Sequence, residues 1–302
     1  MDFVSGVGNI NIDILYSGID QIPNEGEEVY SQGFDVQLGG GIPATMINLA
    51  RLGVPTKFST FLGNDMFSNY AKEKLTEFGI PYKNLDQGDR VPVTITSIIS
   101  TKRDRTFISY NEGFQYTKEQ EDEIYSYLKG SKIVEMSVNF LDIYKRLKED
   151  GTILVFDVGW EDDLSLEKYS EYLTIADYFT PNQKEALKIT GTDNLEDAGK
   201  KLGEYFDKVI IKLDKDGCML VENGVTHVLP PLRNIEAVDS TGAGDAFLSG
   251  FMYGLYHNYS VKDAIIFGNI TGGTCVQGYG CLSRYVDEKQ LLAMAEELKR
   301  DL

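Results

Sequence analysis

Cysteine is scarce in this 302-residue chain: Cys218, Cys275 and Cys281 are all it has, in no CxxC pair and at no metal-ligand spacing. That excludes a disulfide-built scaffold and fits reduced thiols acting as small apolar side chains. Basic residues are outnumbered, 29 Lys+Arg against 47 Asp+Glu, for a formal net charge of −18. This balance argues against a nucleic-acid or anionic-membrane partner, each of which needs a basic footprint. A small phosphorylated ligand held by local amides stays open. No apolar run approaches the roughly 18 residues that span a bilayer. The opening MDFVSGVGNI lacks the basic-then-apolar pattern of a secretory leader, so a cytoplasmic protein is expected. The only two histidines, His227 and His257, show no ligand spacing, and neither GxxxxGK[ST] nor GxSxG occurs. P-loop NTPases and serine hydrolases therefore have no support. Gly6-Val7-Gly8 opens like a dinucleotide fingerprint, but Asn11 stands where its third glycine would be.

What is present is ordinary globular composition, 42% apolar and 25% charged, in a length that buries a core without staples. Residues 3–8 read as a short buried strand, and 44–52 as an apolar helix. Asn64 and Asp65 look like the cap of a helix that Gly79 stops. Buried strands are expected near 132–136, 152–157 and 209–213. Residues 218–221 and 226–229 flank Asn223-Gly224, a strong two-residue hairpin turn, and 243–302 reads as mostly helical. Strand and helix alternate over most of the length, which predicts one α/β domain over 1–302, with a mainly parallel sheet and helices on both faces. Two β-rich segments, about 12–36 and 90–113, break the alternation. Within the second, residues 91–110 alternate apolar and polar about a charged turn at 102–105 and read as an antiparallel hairpin. The two segments are expected to pair as a small β lid inserted in the core. Its apolar face makes a homodimer through the lid the expected self-association.

The chemistry concentrates in Val238-Asp239-Ser240-Thr241-Gly242-Ala243-Gly244-Asp245-Ala246-Phe247. A Thr-Gly-Ala-Gly turn feeding a helix converges backbone N–H groups at a helix N-terminus, an anion cradle aided by the helix dipole. Small residues are needed because a Cβ would hold a phosphate off the backbone. Asp245 is the odd member, a carboxylate where an anion should sit. It either caps the helix or takes the proton of a hydroxyl attacking phosphorus.

This stretch resembles the C-terminal signature of the ribokinase-like (PfkB) carbohydrate kinases, and other pieces match in order along nearly the whole chain. They are Gly8-Asn9-Ile10-Asn11-Ile12-Asp13, Gly39-Gly40 with Ala50-Arg51-Leu52-Gly53, Gly63-Asn64-Asp65, Asn182-Gln183-Lys184-Glu185 and Lys212-Leu213-Asp214-Lys215-Asp216-Gly217. The resemblance implies a three-layer sandwich with a β lid and an ATP-dependent phosphotransferase acting on a sugar hydroxyl, most simply a primary one. It makes Asp245 the base, with Gly242, Ala243 and Gly244 giving amides to the transferring phosphoryl. It puts Asn11, Asp13, Gly39, Gly40 and Asp245 on the sugar, and Asn182, Lys212, Leu213, Asp214, Gly217, Gly244 and Asn269 on ATP. Glu185 would reach Mg²⁺ through water, and Asp239 and Thr241 match a monovalent-cation site suited to K⁺. Four positions after Gly40, Ala44 stands where many relatives carry an Asn that contacts the sugar, so ketoses and substituted hexoses stay as open as ribose. Asp214 replaces a common glycine, and Arg284 lies in sequence near the cation loop. Two rivals are kept: a nucleoside kinase of the same fold, with Phe34, Phe107 and Tyr110 around a base, and a sugar-binding regulator without turnover. Glu112 and Trp160 with Asp157 are weaker candidates for touching substrate.

Overall fold

The computed structural model describes residues 2–86, 88–101, 103, 105–113 and 115–300. Its strands are β1 (Val4–Val7), β2 (Asn11–Ile19), β3 (Gly33–Leu38), β4 (Thr56–Thr60), β5 (Tyr82–Asn84), β6 (Thr94–Thr101), β7 (Arg105–Tyr110), β8 (Ile133–Met136), β9 (Ile153–Phe156), β10 (Tyr178–Phe179), β11 (Lys208–Lys212), β12 (Cys218–Glu222) and β13 (Val225–Leu229). Its helices are α1 (Ile42–Arg51), α2 (Met66–Glu77), α3 (Lys118–Leu128), α4 (Leu141–Glu149), α5 (Leu166–Ile175), α6 (Gln183–Thr190), α7 (Leu195–Leu202), α8 (Ala243–Tyr256), α9 (Val261–Cys275) and α10 (Glu288–Lys299).

Six strands lie side by side in the order β10-β9-β8-β1-β4-β5, every pair parallel. Central β1 is buried at all four residues, as a parallel strand covered on both faces must be. One apolar cluster takes Leu49 of α1, Leu75 of α2, Phe251 of α8, Ile265 of α9 and Leu291 of α10. The other takes Ile124, Tyr144, Tyr169, Ala186 and Ala198 from α3 to α7. Burying each large apolar side chain contributes about 1.5–3 kcal/mol, so packing of these helix faces holds the layers. The architecture is the three-layer α/β sandwich that the resemblance implies.

Local signals act where the sequence places them. Asp65 caps α2, its Oδ1 accepting from the N–H groups of Phe67 and Ser68 at 2.9 and 3.0 Å. Asn223 and Gly224, with φ of +53° and +73°, turn β12 into β13. Strand β11 departs from the simple alternation. It leaves the parallel array for an antiparallel sheet with β12 and β13, lying beside β10 with a bridge between Asn182 and Lys212. That bridge seats Lys212 beside the start of α6.

The segments that break the alternation form a separate four-stranded sheet, β3-β2-β6-β7. β6 and β7 make an antiparallel hairpin with Ser100 opposite Arg105, and β2 runs parallel to β6 with Asn11 opposite Thr94. Lys102 and Asp104, within the expected charged turn, lie outside the described residues. Among the described residues no helix is long and apolar enough to cross a membrane.

Candidate active site

Helix α8 starts from Gly242, whose φ is +74°. A Cβ there would sit 2.1 Å from the Cys281 Cβ, so both conformation and space demand glycine. The amides of Gly244 and Asp245 face no carbonyl of their own helix and open onto the cradle. The Ala243 N–H is spoken for, donating to the Ser240 carbonyl at 3.3 Å.

Asp245 projects from this first turn toward a second helix start. A Cβ on Gly40 would lie 2.4 Å from its Oδ2, and the N–H of Gly41, cap of α1, donates to its carboxyl. Two helix N-termini therefore converge on one carboxylate. Burial pushes its pKa up to about 6, the charge of Asp157 adds to that, and the Gly41 N–H and Lys212 oppose it. Asp13, on β2, is likewise pushed up to about 6 by burial and then by the charges of Asp245 and Asp239. Gly39 packs against Asp13 and Asn11, and Asn11 Nδ2 donates to the Gly40 carbonyl at 3.1 Å. Of the three glycines, Gly39 thus packs on the Asn11 and Asp13 side, while Gly40 and Gly41 face Asp245. The Thr45 hydroxyl, next to Ala44 on α1, donates to Glu135 at 3.3 Å. Ala44 is wholly buried.

Two cavities, about 740 and 470 Å³, meet at Asp245, sharing Asp157 and Val158 as well. The larger is lined by Asn182, Glu185, Lys212, Asp214, Gly217, Asn269 and the 242–245 turn; the smaller is lined by Asn11, Gly41, Thr94, Asn111, Glu135 and Ser137, among others. A larger concavity, about 1480 Å³, opens at the far edge around β11 and α7, and none of the candidate residues lines it.

The nucleotide-side candidates gather in the larger cavity, with one exception. Leu213 packs against the apolar core and lines no part of it. Asn182 and Glu185 form a reciprocal cap on α6: Asn182 Oδ1 accepts the Glu185 N–H at 3.0 Å, and Glu185 Oε2 accepts the Asn182 N–H at 2.7 Å. Asp214 keeps φ at +53°, so it holds a left-handed turn that glycine usually supplies. The Asn269 side chain donates to the carbonyls of Leu229 and Pro230, tying that loop to α9.

Four groups that sequence reasoning missed or undervalued complete the site. Lys212 Nζ pairs with Asp157 at 3.0 Å and lies 3.4 Å from where a Gly244 Cβ would be. Burial works against its charge, but Asp157 and Glu185 outweigh burial and hold the ammonium above its ordinary pKa. Asp157 and Trp160 part company: Trp160 is exposed beside Lys188, while Asp157 joins the two cavities. Glu135 is buried in β8; burial, then Asp245 and Asp157, push its pKa well up, and its Oε2 has no partner among the described residues. Arg105 grips Asp239, Ser240 and Thr241. Arg284 does not reach that loop's carboxylate; it packs by Gly278. Glu112 accepts from the Val91 N–H at 3.2 Å, outside both cavities. No sequence pattern within a few residues signals these partnerships.

A cradle of amides, a carboxylate poised between two cavities and a lysine beside the cradle can transfer a phosphoryl group between two ligands. Comparison with known proteins agrees. The pfkB family carbohydrate kinase model matches residues 1–288. A ribokinase from Lactococcus lactis is 24% identical over the full length of both chains. An ATP-dependent 6-phosphofructokinase from Thermoanaerobacterium thermosaccharolyticum is 30% identical over 76% of each. The structure of Arabidopsis thaliana ribokinase complexed with ribose and ATP superimposes with a TM-score of 0.83 at 23% identity, covering 98% of this chain and 99% of that one. This chain belongs to the pfkB family of carbohydrate kinases.

Proposed function

We propose that this kinase transfers the γ-phosphoryl of ATP to a hydroxyl of a neutral sugar, with Asp245 as the base. The observation that carries the reading is the meeting of the two cavities at that carboxylate. ATP occupies the larger cavity and the sugar the smaller, held by Asn11 and Gly41, with Asp13, Gly39 and Gly40 packed behind them. Asp245 takes the hydroxyl proton as the oxygen bonds to phosphorus, while the free amides of the turn, those of Gly244 and Asp245, and Lys212 meet the charge of the transferring group. Glu185 and Asp157 supply hard carboxylate oxygens that would suit a hydrated Mg²⁺, which would neutralise phosphate charge when bound. The β3-β2-β6-β7 sheet lies against the sugar side through Asn11 and Thr94, a position from which it would exclude water as a lid. Exposed Phe34, Phe107, Ile108 and Tyr110 on that sheet support the homodimer expected through it.

The charge of the smaller cavity selects the substrate class. Its described lining includes Glu135, Asp157, Glu161 and Asp245 with Asn9, Asn11, Asn111 and Asn139, and no Lys or Arg. A sugar phosphate or sugar acid would find no Lys or Arg in this lining to meet its charge and would lie beside the Asp245 carboxylate, whereas neutral hydroxyls find acceptors and amides. ADP release with Mg-ATP across neutral pentoses, hexoses and ketoses, sugar phosphates, aldonic acids and nucleosides tests this. A neutral sugar should give the highest kcat/KM; a phosphosugar or acid in that place would overturn the charge argument, and a nucleoside would overturn the sugar. With that substrate, kcat/KM should fall about tenfold per pH unit below about 6, because only the ionised Asp245 can accept a proton. A flat profile from pH 5 to 8 would remove Asp245 as the base.

A further inference from the structure

The loop that enters the anion cradle is held from the small sheet by one side chain. Arg105, first residue of β7, donates from one Nη to Asp239 Oδ1 and to Thr241 Oγ1, and from the other to Ser240 Oγ at 2.7 Å. The Asp239 side chain is 4% exposed. Its Oδ1 also accepts the Thr241 N–H and hydroxyl at 2.9 and 2.8 Å, and its Oδ2 accepts the Gly280 N–H at 2.9 Å. These neutral donors orient the carboxylate, and Arg105 brings the charge that a buried carboxylate requires. The monovalent cation that the resemblance implies at Asp239 and Thr241 does not fit this arrangement, because the guanidinium already spans the oxygens it would take.

We propose that Arg105 is a positioning residue that stands in for that cation. It fixes Asp239, Ser240 and Thr241, and so the left-handed Gly242 turn and the amides behind it. The anion cradle is then ordered by the sheet that faces the sugar: β7 pairs with β6, and β6 pairs with β2, which carries Asn11 and Asp13. Turnover accordingly needs no K⁺. The inference rests on residues 242–245 being the anion cradle, and half of its test runs without turnover.

The experiment compares wild type, Arg105→Met and Arg105→Lys in KCl, RbCl and choline chloride at one ionic strength, reading thermal unfolding and steady-state kinetics. Wild type should show no K⁺-specific shift in melting temperature and equal kcat in all three salts. Arg105→Met should lower kcat by about ten- to a hundredfold while the sugar KM stays within about threefold, the pattern of a lost outer-shell contact. Arg105→Lys should keep more of the rate, and added free guanidinium should restore part of the Met variant's. K⁺-specific stabilisation of wild type, or an Arg105→Met enzyme with wild-type kcat, would overturn the proposal. The salt dependence of wild-type melting decides the matter if the Met variant does not fold or no sugar is turned over.

Discussion

Asp245→Asn should lower kcat by about a thousandfold, within the range for losing a general base, and leave the dissociation constants for ATP and sugar within a few-fold. Asparagine keeps the shape, and its carbonyl oxygen still accepts the Gly41 N–H that aligns the carboxyl in the native site. What it loses is the capacity to hold a proton. Calorimetric titration of each ligand separates that loss from a binding defect. Stability supplies an independent sign. The folded carboxyl titrates near 6, above its ordinary 3.8, so the folded state binds its proton more tightly than the unfolded chain does. Its contribution to stability is greatest below about 4, declines as pH rises through the window to about 6, and is least above it. The asparagine variant, which carries no charge, should therefore gain on wild type in urea unfolding as pH is raised from 4 to 7. A kcat within tenfold of wild type would place the base elsewhere, with Asp13 the next carboxyl to test.

Lys212→Met should damage both folding and catalysis. The ammonium sits among Asp157, Glu185 and Asp245; its side chain is 12% exposed and that of Asp157 is 17%. Removing one member of such a largely buried pair strands the other charge, at a cost of about 3–5 kcal/mol. Urea unfolding at pH 7 should show that loss, and adding Asp157→Asn in the same chain should recover most of it, giving a strongly non-additive double-mutant cycle. Turnover should not recover in the double variant, because the cation beside Gly244 that meets the phosphates is still missing. Additive stability changes would mean that Lys212 acts through packing alone. Recovered turnover would mean that charge balance, and not phosphate contact, is its role.

Features encoded over a few residues were legible in the chain. Asp65 before a helical run, Asn223-Gly224 between two strands and the 242–245 glycine turn each state their own geometry, whereas the reciprocal cap of Asn182 and Glu185 on α6 emerged only from the structure. Caps and turns are satisfied by backbone groups next door, so local sequence suffices. The resemblance then added roles; Asn11, Asp245, the 242–244 turn and the nucleotide-side positions other than Leu213 line the two cavities, while Asp13, Gly39, Gly40, Asp239 and Thr241 line neither. Leu213, just after β11, packs against the apolar core instead.

Pairings between distant segments were not legible. Asp157 meets Lys212 across 55 residues, Thr45 meets Glu135 across 90, and Arg105 meets Asp239 across 134. Glu135 sits in the four-residue strand Ile133–Met136, buried throughout, where hydropathy patterning sees only a core strand with one polar member. The sequence alone determined the alternation, the caps, the phosphate turn and the acidic balance, because each depends on neighbours in the chain or on composition. The tertiary structure decided which charges compensate each other, where the two cavities meet, and what ties down the 239–241 loop. Those outcomes turn on through-space distance in a shielded interior, where a few ångströms change an interaction severalfold and chain separation carries no such information.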